Sequence, residues 1–193
     1  MSFLQGIREN FGRKLLHSKA KKVDRRKTYN NLESAQTVGI LFDATNPQDI
    51  DDVRKFASSL DKAGKRIDAL GMLRTKAELS SHNDRVGVNF FAAEECSLLC
   101  YPKSVMALQF ISQKFDILLN LCPESSITTD YIVSMSRASF KVSSQLDDEE
   151  YADFILQFGK ETTTAEGGKP RPKPNAGTII NAIKQYLSNI AKA

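Results

Sequence analysis

Two nearly unbroken apolar runs, 38–42 and 117–121, constrain the fold of this chain more than any other feature of its sequence. A strand that carries apolar residues on both sides must be buried on both faces, as in the middle of a parallel sheet covered by helices. Asp43 ends the first run, and Asn46-Pro47 follows with a helix-capping residue and a proline suited to the first helical position. The sequence therefore predicts a strand, a helix and a parallel strand over residues 38–73, joined by a right-handed crossover.

The remaining pattern predicts an α/β domain. Apolar residues recur at helical spacing after the proline, at Ile50, Val53, Phe56 or Ala57, and Leu60. Further strands are expected at 86–91, 140–142 and 154–158, and further helices at 104–115 and 127–137. The expected inward residues of these two helices are Val105, Leu108, Ile111 and Phe115, and then Tyr131, Ile132 and Met135. The fold class is a three-layer Rossmann-like α/β domain with a mainly parallel sheet of about five or six strands.

The chain divides into four segments. Residues 1–36 are expected to form a basic amphipathic helix and linker, and residues 37–161 the α/β domain. Residues 162–177 are rich in Thr, Gly and Pro without apolar periodicity, which is typical of a flexible linker. Residues 178–193 are expected to form a C-terminal amphipathic helix that packs on the domain. Its apolar stripe is Ile179, Ile180, Ile183, Tyr186 or Leu187, and Ile190.

Positive charge is concentrated at the two ends of the chain. The net charge is +4, but residues 1–36 hold 9 Lys and Arg against 3 Asp and Glu. Residues 37–161 hold 13 against 19, and residues 162–193 hold 5 against 1. A basic block beside an acidic body is typical of a segment that contacts an anionic surface. The candidate contacts are Arg8, Arg13, Lys14, Lys19, Lys21, Lys22, Arg25, Arg26 and Lys27.

Three interpretations of this basic segment stay open. Its apolar residues fall on one helical face, at Phe3, Leu4, Ile7, Phe11, Leu15 and Leu16. That face could lie on an anionic membrane surface. It could instead pack on a partner while the charges meet RNA, a ribonucleoprotein or another acidic partner. In the third interpretation the helix docks on the chain's own domain.

Two loops are candidate ligand sites, because ligands of open parallel α/β sheets bind where strand ends meet helix N-termini. The first loop offers Asp43, Thr45 and Asn46, and the second offers Ser125, Ser126 and the nearby Thr128. Helix capping is the simpler interpretation of Asn46, Ser126 and Thr128. The chain has no glycine-rich phosphate motif and no nucleophile elbow, and its two histidines, His17 and His82, suggest no acid–base pair. No catalytic residue and no cofactor is predicted.

The cysteines and the N-terminus indicate the compartment. Cys96, Cys100 and Cys122 are an odd number of cysteines, which is typical of free thiols in a reducing compartment, and their spacing predicts no metal site. Arg8 and Glu9 interrupt the N-terminus before a signal-peptide core can form. No uncharged run approaches the roughly 20 residues of a membrane-spanning helix. We therefore expect a cytoplasmic protein without a transmembrane segment.

The stretch Val38–Asn46 and the motifs Phe115–Leu121 and Ala138–Val142 resemble a family of uncharacterised proteins from Bacteroidetes. The resemblance covers most of the chain and implies an α/β fold in a bacterial, cytoplasmic protein with no established activity. That family usually continues the last motif with glycine, where this chain has Ser143. The two later motifs are also similar to the end of the N-terminal domain of heptosyltransferase-type glycosyltransferases. Those enzymes need a second Rossmann-like domain, which 193 residues cannot supply.

These observations predict a non-catalytic binding or adaptor protein whose basic N-terminal arm contacts an anionic surface. Two alternatives stay open. One is a small or degenerate enzyme, glycosyltransferase-like or nucleotide-binding, that uses the loops at Asp43 and Ser125. The other is a structural subunit of a larger assembly. Stabilisation by a nucleotide or sugar nucleotide would separate the enzyme from the other two.

Overall fold

The computed structural model describes residues 3–81, 87–145, 150–158 and 173–189. Its strands are β1 Thr37–Asp43, β2 Arg66–Leu73, β3 Val88–Ala92, β4 Ile117–Asn120, β5 Phe140–Ser143 and β6 Phe154–Ile155. Its α-helices are α1 Phe3–Ala20, α2 Pro47–Lys62, α3 Lys76–Ser81, α4 Val105–Ser112, α5 Ile127–Met135 and α6 Ala176–Asn189. The predicted positions Val86, His82, Ile190 and 162–172 lie outside the described residues.

The six strands form one parallel sheet in the order β3-β2-β1-β4-β5-β6. The two central strands are β1 and β4, and Leu41 of β1 is paired to Leu70 on one side and to Asn120 on the other. Residues 38 and 40–42 of β1 and residues 117–120 of β4 are all buried. The prediction that both apolar runs form central strands is confirmed, as is the Rossmann-like α/β fold class.

Helices cover the sheet on both faces and divide the core in two. On one face, α2 and α6 pack over Val38, Ile40 and Phe42. On the other, α4 and α5 pack over Leu41 and neighbouring strand residues. Gly39 lies on this second face, where a Cβ would stand 2.7 Å from the ring of Phe115. Glycine at this position therefore allows the Phe115 ring to lie directly against β1.

The predicted inward face of α4 is wrong for Val105 and Leu108, whereas Ile111 packs partly buried against the core. Ala107 and Phe110 are buried, whereas Val105 and Leu108 are 64% and 47% exposed. Phe115 is buried but follows the end of the helix. The physical reason is that α4 is apolar almost all round, so its periodicity does not select one face. In α5 the inward residues are Ile132 and Val133, while Tyr131 and Met135 are half-buried.

Two further helices differ from the sequence pattern. The short helix α3 was not expected, although Thr75 and Glu78 provide its capping residues through bonds to the backbone N–H groups of Glu78 and Arg74. Helix α6 begins at Ala176, earlier than expected. Of the two alternatives for its apolar stripe, Leu187 is buried and Tyr186 is 52% exposed. Within the described residues, no helix is both long and apolar enough to cross a membrane.

Candidate functional site

The order of the sheet places a topological switch point at the carboxyl ends of β1 and β4, and we call the region around it the switch-point crevice. The connection that leaves β1 enters α2 on one face, and the connection that leaves β4 enters α5 on the other. Such a switch point is where open α/β sheets bind their ligands. The structure brings the two predicted loops, 43–46 and 122–126, to this switch-point crevice.

The predicted polar residues of the first loop hold its local backbone. The Asn46 side chain accepts a hydrogen bond from the backbone N–H of Gln48 at 3.1 Å and caps α2. The Asp43 carboxylate accepts one from the backbone N–H of Thr45 at 2.9 Å. These contacts fit the capping interpretation of Asn46 and an Asx turn at Asp43.

The predicted residues of the second loop are also engaged within the chain. The Ser126 hydroxyl accepts from the backbone N–H of Thr129 at 3.1 Å and caps α5. The Thr128 hydroxyl donates to the carbonyl of Cys100 at 2.7 Å. The Ser125 hydroxyl donates to the carboxylate of Asp130 at 3.0 Å. All three hydroxyls therefore have structural partners.

The N-terminus of α2 is acidic and is covered by the chain itself. Asp49, in the first turn, is 8% exposed and accepts the backbone N–H of Ala176 at 3.0 Å. Burial raises the pKa of Asp49. Three residues before Ala176, the Lys173 ammonium meets the Glu124 carboxylate at 2.6 Å. Residues 173–176 thus run from the second loop to the helix end that would otherwise attract a phosphate.

Gln145 is a residue of the crevice that sequence-based prediction missed. Its amide nitrogen donates to the carbonyls of Cys122 and Glu124 at 2.7 and 2.6 Å, which fixes the orientation of the amide. Its Oε1 is buried and has no hydrogen-bond partner among the described residues. No sequence signal marks a glutamine whose role is set by two carbonyls more than 20 positions away.

The cysteines form no site in the part of the chain that is described. There, no three His, Cys, Asp or Glu side chains are grouped as metal ligands. Burial raises the pKa of the Cys96 thiol, which disfavours the reactive thiolate. Cys122 is buried, and Cys100 adopts a left-handed backbone with φ of 61° in the turn before Tyr101.

The second half of α1 docks on the chain's own domain. Leu16 is 1% exposed, and the Tyr101 hydroxyl donates to the carbonyl of Gly12 at 2.8 Å. A Cβ at Gly12 would lie 3.3 Å from the Leu99 carbonyl oxygen and from the Ile127 side chain. Glycine thus allows α1 to approach α5 closely. From residue 12 onward, the apolar side of this helix is covered by the domain.

Three of the predicted cations are held by the domain. Arg25 is 9% exposed and forms two hydrogen bonds of 2.7 Å with the Asp153 carboxylate. Burial alone would raise the pKa of Asp153, but hydrogen bonds from Arg25 and from a backbone N–H outweigh it and lower that pKa. Arg13 bonds Asp130 at 2.7 Å, and the Lys19 ammonium lies 5.0 Å from the ring centre of Tyr101. Arg25 is therefore not part of an exposed basic surface.

The remaining predicted cations form what we call the basic strip. Its members are exposed to solvent and comprise Lys14, Lys21, Lys22, Arg26 and Lys27. Lys27 also lies 3.3 Å from the Asp153 carboxylate but keeps 71% of its side chain exposed. The side chain of Arg8 lies outside the described part of the molecule. The strip joins the last turns of α1 to the linker that follows.

A cavity of about 250 Å³ opens beside the basic strip, and we call it the basic cavity. It is lined by His17, Ala20, Lys21, Val23, Arg25, Lys27, Ser134, Lys141, Glu150 and Tyr151. His17 Nδ1 lies 2.6 Å from the Glu150 carboxylate. Burial, followed by the nearby Glu150 charge, raises the pKa of Tyr151 to about 12. The Tyr151 phenol is thus a hydrogen-bond donor at neutral pH.

Comparison with known proteins gives a family but no activity. The model of a family of unknown function (DUF6913) matches residues 8–166, which include the end of α1, the basic strip and all six strands. No curated protein and no solved structure matches the chain.

Proposed function

This chain belongs to the family of unknown function DUF6913, and we propose that it is a non-catalytic binding protein that holds RNA by its phosphate backbone. The observation that carries the proposal is the basic strip, in which five Lys and Arg side chains stay exposed over residues 14–27. Phosphate contacts by Lys and Arg supply most of the affinity of sequence-independent nucleic-acid binding.

The docking of α1 favours RNA over a lipid surface. A helix that lies on a membrane needs an exposed apolar face. Here Leu16 is buried and Gly12 is packed against α5, so the second half of α1 offers charge without that face. Two aromatic side chains near the strip, Phe11 and Tyr29, are 60% and 39% exposed. Exposed aromatics beside cations are a common surface for stacking the bases of single-stranded RNA.

We also propose a bacterial, cytoplasmic setting for the protein. The resemblance to Bacteroidetes proteins supports a bacterial source, and the odd number of cysteines supports a reducing cytoplasm. The similarity to heptosyltransferase-type domains supports the fold and contributes no activity to the proposal. An adaptor that binds RNA on one face would carry its second partner elsewhere on the domain.

The test is RNA binding by the full-length protein at two salt concentrations. Fluorescence anisotropy would use a labelled single-stranded RNA of about 12 nucleotides at about 50 and about 200 mM salt. We expect the Lys21→Ser, Lys22→Ser, Arg26→Ser, Lys27→Ser variant to bind weakly. Its slope of log K against log salt should be smaller by about 3, since each lost contact to a single strand removes about 0.7.

A matched control variant loses four positive charges outside the basic strip. Lys55, Lys62, Lys103 and Lys114 are exposed and lie outside the basic strip. Replacing these four with serine should leave most of the RNA affinity. If the full-length protein binds no RNA at low salt, if both variants lose affinity equally, or if vesicles with phosphatidylserine bind more tightly than RNA, the proposal is wrong.

A further inference from the structure

The basic cavity gathers positive charge from several separate elements. Lys21, Arg25 and Lys27 come from the end of α1 and its linker, and Lys141 comes from β5. Among the described lining residues, Glu150 is the single acid, and its carboxylate is engaged by His17. Asp153 lies close by and offsets part of the charge of Arg25 and Lys27. Lys21 and Lys141 still leave the wall of this cavity cationic.

The floor of the cavity carries a buried cation. Lys141 is 2% exposed, and its ammonium donates to the carbonyls of Val133 and Ser134 at 2.6 and 3.2 Å, at the C-terminal end of α5. Ser134 and Tyr151 also line the cavity, but the Ser134 hydroxyl donates to the carbonyl of Tyr131 and the Tyr151 phenol is hydrogen-bonded to Glu150. The charge of the recess therefore comes from its Lys and Arg side chains, and a recess lined by several cations is chemically suited to an oxyanion.

The recess is large enough for a small ligand. A volume of about 250 Å³ is well above the roughly 30 Å³ share of one water molecule. It is below the roughly 300–1,000 Å³ of pockets that enclose a drug-sized ligand. A phosphate group with its waters therefore fits the recess.

We infer that the basic cavity binds the terminal phosphate of an RNA strand whose backbone runs along the basic strip. The inference rests on the proposed function and adds recognition of a strand end to it. A terminal phosphate monoester carries about −1.5 to −2 charges at neutral pH. An internal phosphodiester carries less charge and is flanked by sugars on both sides, so it is a poorer match to a charged recess.

The strip contains a matched pair of double variants for the test. Lys21 and Lys27 line the cavity, whereas their neighbours Lys22 and Arg26 are not part of its lining. All four are exposed, so substitution should leave the fold intact. Each double variant, Lys21→Ser with Lys27→Ser or Lys22→Ser with Arg26→Ser, removes two positive charges from the same strip.

The experiment compares the affinities of three RNAs of one sequence, which end in a 5′-phosphate, a 3′-phosphate or hydroxyls only. We expect a phosphorylated end to improve binding by about tenfold, the effect of one good charge-assisted hydrogen bond. The variant at Lys21 and Lys27 should lose this preference. The variant at Lys22 and Arg26 should bind all three RNAs more weakly and keep the preference.

The outcomes separate this inference from the proposed function. If the three RNAs bind equally tightly, or if both double variants lose the preference to the same extent, the cavity is not a phosphate site although RNA binding stands. If inorganic phosphate displaces the RNA end at the concentration that phosphorylated RNA itself requires, the cavity takes free phosphate and the inference is also wrong. Failure of all three RNAs to bind at low salt would remove the proposed function.

Discussion

The switch-point crevice and the basic strip differ in whether their polar side chains are bonded within the chain or exposed to solvent. In the crevice, Asn46 and Ser126 cap helices, and Asp49 places a carboxylate where a nucleotide phosphate would bind in related folds. In the basic strip, cations such as Lys21 and Lys22 remain exposed. The polar side chains at the switch point, where the topology favours a ligand, are thus bonded within the chain. The exposed positive charge lies instead on the N-terminal segment. The position that a fold favours for a ligand and the position of the exposed charged side chains can therefore differ in one protein.

The sharpest test of this contrast lies inside the basic segment itself. Arg25→Ala should destabilise the protein by about 1.5 to 3 kcal/mol, because the Asp153 carboxylate loses its two-fold bond to Arg25 and keeps only the Lys141 backbone N–H and the exposed Lys27. Arg26→Ala, at the neighbouring exposed position, should change the free energy of unfolding by no more than about 0.5 kcal/mol. Urea unfolding followed by circular dichroism measures both. Equal destabilisation by the two variants would show that the division into structural and exposed cations is mistaken.

The two regions should also respond to acid with opposite signs. The pKa of Asp153 is lowered from its ordinary value of 3.8, so its stabilising contribution is present above that value and is lost as the pH falls through the lower, folded-state pKa. The pKa of Asp49 is raised, so its ionised form costs stability at neutral pH, and this cost is relieved as the pH falls through the raised value.

Asparagine variants isolate each of these contributions. Asp153→Asn should destabilise the protein at neutral pH and flatten its loss of stability in acid. Asp49→Asn, which keeps an acceptor for the Ala176 N–H, should be neutral or stabilising by about 1 kcal/mol at neutral pH. Urea unfolding from about pH 7 to about pH 3 would measure both. If both variants shift the pH dependence of stability in the same direction, the opposite roles of Asp153 and Asp49 are wrong.

The smallest expected effect concerns ligands at the switch point. A ligand at 100 times its Kd stabilises a protein by roughly 2.7 kcal/mol, which a thermal-shift assay detects readily. We expect nucleotides and sugar nucleotides at millimolar concentration to give no shift through the crevice, because Asp49 and residues 173–176 occupy the N-terminal end of α2. A clear shift that the charge variants of the basic strip do not alter would instead support the nucleotide-binding alternative.

The central strands and α2 could be predicted from sequence because their signals are local. An apolar run such as 38–42 needs burial on both faces wherever it lies, and Asn46-Pro47 marks a helix start without reference to distant residues. The inward face of α4 could not be predicted, since Val105, Leu108 and Phe110 are all apolar and only the position of the sheet decides between them.

The candidate site was less predictable because its decisive contacts are distant in sequence. Nothing near Arg25 shows that it meets Asp153, 128 positions later, and a sequence motif cannot distinguish it from the exposed Arg26. The capping roles of Asn46 and Ser126 were accessible from residue type. The cover over the N-terminal end of α2 was not accessible from residue type, since it depends on the contact of Ala176 with Asp49, 127 positions earlier in the chain.

The long separations of these contacts also set an order of events during protein synthesis. Arg13, His17 and Arg25 meet partners that lie 117, 133 and 128 positions later in the chain. At about 5 to 20 residues per second, the ribosome adds the partner of Arg25 roughly 6 to 25 seconds after Arg25 itself. During that interval the whole basic segment, including its later-buried cations, is a nascent polycation beside ribosomal RNA. Completion of β5 and β6 then withdraws Arg25 and leaves the exposed cations behind.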